Sequence, residues 1–262
     1  MSVPVTPSKE LGQHFLVDDN ILGVIGRLAE LGPEDVVLEV GPGPGALTGY
    51  LADRVAHVHA VELDRRLEAH LEDRFGERAN VHLHFTDAVA LAPGELDPAP
   101  TKLVSNLPYS VATPIVVESI DRFPTIQHWT VMVQREVADR FFAEPRTKAY
   151  GAVSVLIQLA AERTGFHPVS RTVFRPQPNV DSALVAFRRR PELPAVGWRE
   201  LKRVVEAAFA HRRKRLPNSL DLAGVADRER AGAALESLGH SVQARAEELA
   251  PEEFVGLAAA LG

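Results

Sequence analysis

Val36-Val37-Leu38-Glu39-Val40-Gly41-Pro42-Gly43-Pro44-Gly45-Ala46 joins an apolar, mostly β-branched run to three alternating glycines and then to a helix-like segment. The run reads as a buried strand, and the glycines as a sharp turn in which the backbone can approach a ligand closely. Working outward, further β-rich runs lie at Val55–Val61, Val81–Phe85, Lys102–Ser105, Trp129–Val133 and Ser182–Phe187. Helical segments separate them at Asn20–Leu31, Ala46–Arg54, Leu67–Phe75 and Pro114–Ile120. Strand–helix alternation of this kind predicts an α/β fold, a mostly parallel sheet covered by helices on both faces. Pro191 and Pro194 then break the chain, and Leu201, Val204, Val205, Ala208 and Phe209 recur at helical spacing, as do Phe254, Leu257, Ala258 and Leu261. Residues 191–262 are therefore expected to form a small all-helical domain after an α/β domain of residues 1–190.

The chain has 262 residues, 45% of them hydrophobic and 24% charged, with no cysteine. Disulfides, thiolate metal sites and cysteine nucleophiles are excluded. No apolar run approaches membrane-spanning length, and Met1-Ser2-Val3-Pro4 opens a polar stretch unlike a signal peptide. A soluble, cytoplasmic protein with no membrane partner is expected. The net charge of −6 divides into −11 over residues 1–145, +10 over residues 146–220 and −5 over residues 221–262. The central block carries Arg146 and Lys148 near its start and Arg212, Arg213, Lys214 and Arg215 near its end. It fits a polyphosphate partner, and on charge alone fits a solvated cationic face equally well.

The glycine run satisfies the dinucleotide pattern G-x-G-x-x-A, and Glu62 follows where a ribose-binding acid belongs. Two details favour S-adenosylmethionine instead. Pro42 and Pro44 remove amide donors from a loop that need not cradle a pyrophosphate. Glu39 also stands two residues before Gly41, and Glu-Val-Gly-Pro-Gly-Pro-Gly resembles the first motif of class I methyltransferases. Gly41 and Gly43 would then approach the cofactor, Glu62 would accept its ribose hydroxyls, and Asp87 with Ala88 would meet its adenine.

Asn106-Leu107-Pro108-Tyr109 follows the fourth strand. An exocyclic adenine amine is a poor nucleophile, because its lone pair is delocalised into the ring. The side-chain oxygen of Asn106 and the carbonyl of Leu107 can orient that amine and stabilise the charge that develops on it. Pro108 fixes the turn, and Tyr109 offers a face for the base. An Asx–Pro turn without catalytic purpose is the plainer reading of such a tetrapeptide. It is outweighed here by the preceding glycine loop and strand-end acids.

Residues 106–114, Asn-Leu-Pro-Tyr-Ser-Val-Ala-Thr-Pro, resemble the fourth motif of the adenine N6,N6-dimethyltransferases of small-subunit (16S) ribosomal RNA. Gln13-His14-Phe15-Leu16, Lys148-Ala149-Tyr150-Gly151 and residues 174–182 are similar to the same family, as are residues 209–216, 218–220 and 245–247. The resemblance runs from residue 8 to about residue 260. It implies a Rossmann-like class I methyltransferase fold, S-adenosylmethionine as cofactor, and N6,N6-dimethylation of adjacent adenosines during ribosome biogenesis. The implied partner is small-subunit rRNA or a pre-30S particle, met by a monomer. Gln13, His14 and Leu16 would lie across the cofactor, Asn106 would also touch it, and Phe174 would pack on the target base opposite Tyr109. Ser110 and Pro217 depart from the family pattern; the first bears on pocket polarity, the second on helix length.

His57, His59, His82 and His84 alternate along two adjacent strands, but lack the carboxylates or thiols that usually accompany them in metal sites. They read as ordinary strand histidines, and no metal is expected. Trp129 and Trp198 read as packing residues. The competing functions are a 23S rRNA adenine N6-methyltransferase conferring macrolide resistance, a DNA adenine methyltransferase, a nicotinamide oxidoreductase, and a ribosome-assembly factor that binds RNA without catalysis.

Overall fold

The computed structural model describes residues 5–8 and 11–262, so the Met1–Pro4 stretch read above for a leader lies outside the described residues. The strands are β1 (Phe15–Leu16), β2 (Val36–Val40), β3 (His57–Val61), β4 (Val81–His84), β5 (Lys102–Asn106), β6 (His128–Gln134), β7 (Ala161–Val169), β8 (Phe174–Arg175) and β9 (Ser182–Arg189). β1 and β8 pair as a short antiparallel ribbon, and the others form a seven-stranded sheet in the order β4-β3-β2-β5-β6-β9-β7. Neighbours from β4 through β6 are parallel, and β9 runs antiparallel to β6. The expected α/β class holds. All five residues of β2 are buried, as a central strand covered on both faces requires.

The helices are α1 (Asp19–Leu28), α2 (Ala46–Ala52), α3 (Glu68–Phe75), α4 (Ala112–Arg122), α5 (Arg135–Phe141), α6 (Ala152–Ala160), α7 (Trp198–Ala210), α8 (Leu216–Leu222), α9 (Arg228–Ser237) and α10 (Pro251–Leu261). Ile21, Leu22 and Ile25 of α1 and Leu47 and Leu51 of α2 join Val37, Val58, Val104, Met132 and Leu184 of the sheet in one core. Side chains alternate along β6, so Trp129 points away from Met132 to the other face. There its indole N–H donates to the Ser119 hydroxyl of α4 at 2.8 Å, and its ring stacks on Phe187. Trp129 is fully buried, as its reading as a packing residue required. Among the described residues no helix is long and apolar enough to cross a membrane.

By packing, the chain divides into two compact units, Met1–Ala138 with Arg163–Arg189 and Asp139–Glu162 with Arg190–Gly262. This differs from a single boundary after Arg190, because α6 packs on α7 and α10. Two long-range bonds hold the preceding loop in the same unit. The Tyr150 hydroxyl donates to the Leu249 carbonyl at 2.8 Å, and the Arg146 amide donates to the Glu247 carbonyl at 2.7 Å. Pro217 does not interrupt a helix. It stands in the first turn of α8, where a missing amide N–H leaves no bond unmade.

β2 also buries a carboxyl group. Glu39 is 1% exposed, and the Thr48 hydroxyl of α2 donates to it at 2.7 Å. Burial pushes its pKa from 4.5 up to about 8, against the opposing pull of Thr48. Between these values the folded chain keeps a proton that the unfolded chain has lost. Stability therefore falls as pH rises through that window, by up to about 1.4 kcal/mol per pH unit. Glu39→Gln mimics the protonated form at every pH. Thermal melts should show the variant gaining on the parent from about pH 5 to pH 8, with the difference level above that; a pH-independent difference would refute this protonation state.

Candidate active site

The chain runs from β2 outward through β3 to β4, then returns to place β5 on the other side of β2. Open α/β sheets bind ligands at the carboxyl ends of strands flanking such a reversal. A cleft of about 960 Å³, its open mouth included, lies there. Glu39 of β2 and Gly41 to Pro44 after it line the cleft, with Glu62 and Leu63 after β3 and Asn106 to Val111 from the end of β5, while Leu11 to Leu16 border it from the N-terminal side.

The glycine loop uses its own hydrogen-bond donors. Gly41 N–H donates to the Val61 carbonyl at 2.9 Å, Gly43 N–H to Glu62 at 3.0 Å, and Gly45 N–H to the Pro42 carbonyl at 2.9 Å. Pro42 and Pro44 have no N–H. No loop amide from 41 to 45 remains for a pyrophosphate, which would need several. Gly43 and Gly45 adopt φ of +57° and +84°, and a Cβ at either would lie within 2.9 Å of the Phe15 or Phe75 ring. Both positions therefore require glycine.

Glu62 is 5% exposed and accepts from the amides of Gly43 and, at 2.9 Å, Asp64. Burial raises its pKa, and those backbone bonds oppose the rise. A carboxylate has about four acceptor sites, more than these amides occupy, so capacity remains for hydroxyl donors. An open cleft with an acceptor-rich acid, no amide donors in its loop and an apolar lining suits a cationic, ribose-bearing ligand. The residues present thus fit S-adenosylmethionine and disfavour a dinucleotide.

At the end of β5, Asn106 Nδ2 donates to the His14 carbonyl at 3.1 Å. That bond fixes the amide orientation and leaves Oδ1 as the acceptor for a ligand. The Leu107 amide donates to the Met132 carbonyl at 3.1 Å, and the Pro108 carbonyl accepts from Val111 at 3.1 Å, which holds the turn. The Tyr109 hydroxyl bonds Ser182 at 2.7 Å, and burial raises its pKa. His14 stacks on Tyr109 with ring centroids 5.5 Å apart, and its Nδ1–H donates to the Pro176 carbonyl at 2.7 Å. Gln13 donates to Asp64 at 2.8 Å; the Arg66 guanidinium beside Asp64 holds that carboxyl down at about 2.

Gln13, His14, Leu16, Gly41, Gly43, Glu62 and Asn106 through Tyr109 thus meet in one cleft. Three other expected residues do not line it. Asp87 is exposed, and its carboxylate accepts from the Val89 amide at 2.9 Å, capping its own turn. Ala88 borders a separate small cavity with Val40, Leu103 and Ile115. Phe174 is 4% exposed, opposite Leu16 in the β1–β8 ribbon, and belongs to the core. Sequence reasoning missed Leu63, 55% exposed at the rim, and Ser182 and Asp64, which fix Tyr109 and Gln13. Leu63 stands next to the strand-end acid Glu62, and that adjacency was the available signal.

In the other unit, Arg212 donates to the Lys148 carbonyl and pairs with Glu247, each at 3.3 Å. Arg212 is therefore partnered, whereas the exposed Arg213, Lys214 and Arg215 have no ion-pair partner among the described residues. The same bonds bring the exposed Arg146 and Lys148 beside this turn.

Residues 6–258 match the family model described as ribosomal RNA adenine dimethylase. The chain is 48% identical over 251 residues to ribosomal RNA small subunit methyltransferase A of Rubrobacter xylanophilus, covering 96% of this chain and 94% of that one. It is 45% identical over 260 residues to the protein of the same name from Thermobifida fusca, covering 97% and 90%. A crystal structure of a dimethyladenosine transferase from Plasmodium falciparum shares the fold, with a TM-score of 0.76, 22% identity and coverage of 93% and 96%. The 23S rRNA methyltransferase ErmE superposes with a TM-score of 0.66 at 32% identity, covering 94% of this chain and 99% of its own. Identity sustained over nearly the whole of both chains, on top of the family match, makes this chain a member of the ribosomal RNA adenine dimethylase family.

Proposed function

We propose that this chain uses S-adenosylmethionine to dimethylate N6 of adjacent adenosines in small-subunit ribosomal RNA, acting as a cytoplasmic monomer on a pre-30S particle. The observation that carries the reading is the anchoring of Asn106, whose nitrogen is held by the His14 carbonyl so that its oxygen is left for a substrate amine. The relatives named for small-subunit methylation support the choice of RNA.

When bound, S-adenosylmethionine supplies an electrophilic methyl group on a cationic sulfur. Glu62 holds the ribose hydroxyls, Gly41 and Gly43 let the backbone lie close, and Leu63 offers an apolar surface to the adenine. Gln13, His14 and Leu16 border the same ligand. Asn106 Oδ1 and the Leu107 carbonyl accept the two N–H groups of the target amine, turning its lone pair away from the ring. They also stabilise the positive charge that builds on nitrogen. After one methylation a single N–H remains, which either acceptor can hold, so one site serves both transfers. No general base is required, because the alkylated nitrogen is strongly acidic. Tyr109, braced by Ser182, packs on the base, and Phe174 supports the ribbon that carries Leu16.

The exposed Arg146, Lys148, Arg213, Lys214 and Arg215 contact RNA phosphates, while Arg212 ties the two basic stretches together. Phosphate contacts position the RNA, and the cleft selects an extruded adenine.

Three measurements test this reading. Mass-spectrometric mapping after incubation with unmethylated small and large ribosomal subunits should find dimethyladenosine in the small subunit; methylation of the large subunit alone would transfer the reading to the activity named for ErmE. Asn106→Ala should lower the methyl-transfer rate by roughly 10²–10³-fold, the cost of a lost preorganised partner, with cofactor affinity held within a few-fold. Near-parental turnover would remove Asn106 from the reaction. Replacing Arg213, Lys214 and Arg215 with alanine should weaken binding to small subunits and reduce its salt dependence by up to about three counterions. An unchanged salt slope would make this turn a solvated face.

A further inference from the structure

His57 and His59 on β3 and His82 and His84 on β4 project from one face at the edge of the sheet. His59 is registered opposite His82, and alternate residues share a face. Their ring centroids lie 4.5 Å (His57–His59), 6.0 Å (His59–His82) and 5.0 Å (His82–His84) apart. None of the four lines the cleft. Four packed imidazoles are a costly way to cover a sheet face, since each brings two polar atoms that need partners.

The hydrogen bonds show which atoms are available. His59 is fully buried, and its Nε2–H donates to the Pro98 carbonyl at 2.8 Å. That bond fixes the tautomer and turns the lone pair of Nδ1 toward the other rings, the arrangement by which outer-shell carbonyls orient metal-binding histidines. His84 Nε2 lies 3.1 Å from the same Nδ1. The Nε2 of His57 is buried without a hydrogen-bond partner among the described residues. One ligating atom from each of His57, His59 and His82 falls within 4.8 Å of the other two. Nitrogens about 2.0–2.1 Å from a shared tetrahedral ion stand about 3.4 Å apart. Small side-chain rotations close that difference on a backbone held by the β3–β4 ladder.

We propose that His57, His59 and His82 form a binding site for one divalent transition-metal ion, which fastens the edge strand β4 to β3. All-imidazole ligation selects ions of the zinc, nickel and copper class over magnesium or calcium. The ion takes the place of the His84 contact at His59 Nδ1, satisfies the orphaned His57 nitrogen, and leaves a fourth position for solvent. Three protein ligands with an open fourth position is also the arrangement of catalytic zinc sites. Among the described residues the ligand cluster holds imidazoles alone, and Asp97 and Glu95 act on His57 and His84 only through their charge, so the role is to stabilise the fold through binding.

The full-length chain, free of any histidine tag and stripped with chelator, should be titrated with Co²⁺ by visible absorption and with Zn²⁺ by calorimetry. One equivalent should bind with a tetrahedral cobalt spectrum, and excess Zn²⁺ should raise the melting temperature. His82 is exposed, so His82→Asn should fold as the parent does, with the same melting temperature in chelator, and should bind at least about tenfold more weakly. Failure of the parent to saturate, or equal affinity in His82→Asn, would overturn the site.

Discussion

The bond from Gly43 N–H to the Glu62 carboxylate, 3.0 Å long and buried, joins the ends of β2 and β3. An acid this enclosed keeps its charge only if donors are aimed at it. The backbone supplies them at Gly43 and Asp64. The same bond uses an amide that would otherwise point into the cleft. With Gly41 and Gly45 bonded internally and prolines between them, the loop shows ligands a surface without amide donors. A loop with the spacing of a dinucleotide-binding turn has thereby lost the chemistry that binds a dinucleotide. Its remaining capacity is to accept hydrogen bonds, which hydroxyl groups can use.

Residues 13–16 connect this loop to the turn that carries Asn106. The His14 carbonyl holds the Asn106 amide, its ring rests on Tyr109, and its Nδ1 reaches the Pro176 carbonyl. Gln13 bonds Asp64, two residues beyond Glu62. A short N-terminal segment is therefore placed from both sides of the cleft at once. Disorder in that segment would free the Asn106 amide to rotate, exchanging an acceptor for a donor at the reacting amine.

The parts of the molecule governed by local chemistry were legible in the sequence. β2 and its loop announced themselves through an apolar run ending in alternating glycines, and the Asn106 turn through its proline and its place after a strand. The stretch from Ala152 to Val169 was not, because Ala-Val-Ser-Val-Leu-Ile-Gln-Leu-Ala is apolar but for Ser154 and Gln158, too few polar residues to mark a face. It forms α6, then β7 without a connecting loop. Long-range pairings were also hidden. Phe174 sits in the core because β8 pairs it with Leu16, far earlier in the chain. Arg212 stands in a run of four cations, but Glu247, 35 residues away, pairs with it. In each case the competitor is a partner whose proximity only the tertiary fold creates.

The unit holding the basic turn is built from two separated pieces of chain, and this bears on how such a protein could be re-engineered. Tyr150 reaches Leu249, and its ring meets the edge of Phe209 at 5.8 Å. A graft that exchanged everything after Arg190 for a relative's sequence would bring new α7 and α10 against the old α6 and the old Tyr150. The mismatch would fall in the core, where changes of even one methylene are felt. Exchanging this unit between relatives therefore means transplanting residues 139–162 together with the C-terminal helices, as one cassette in two pieces.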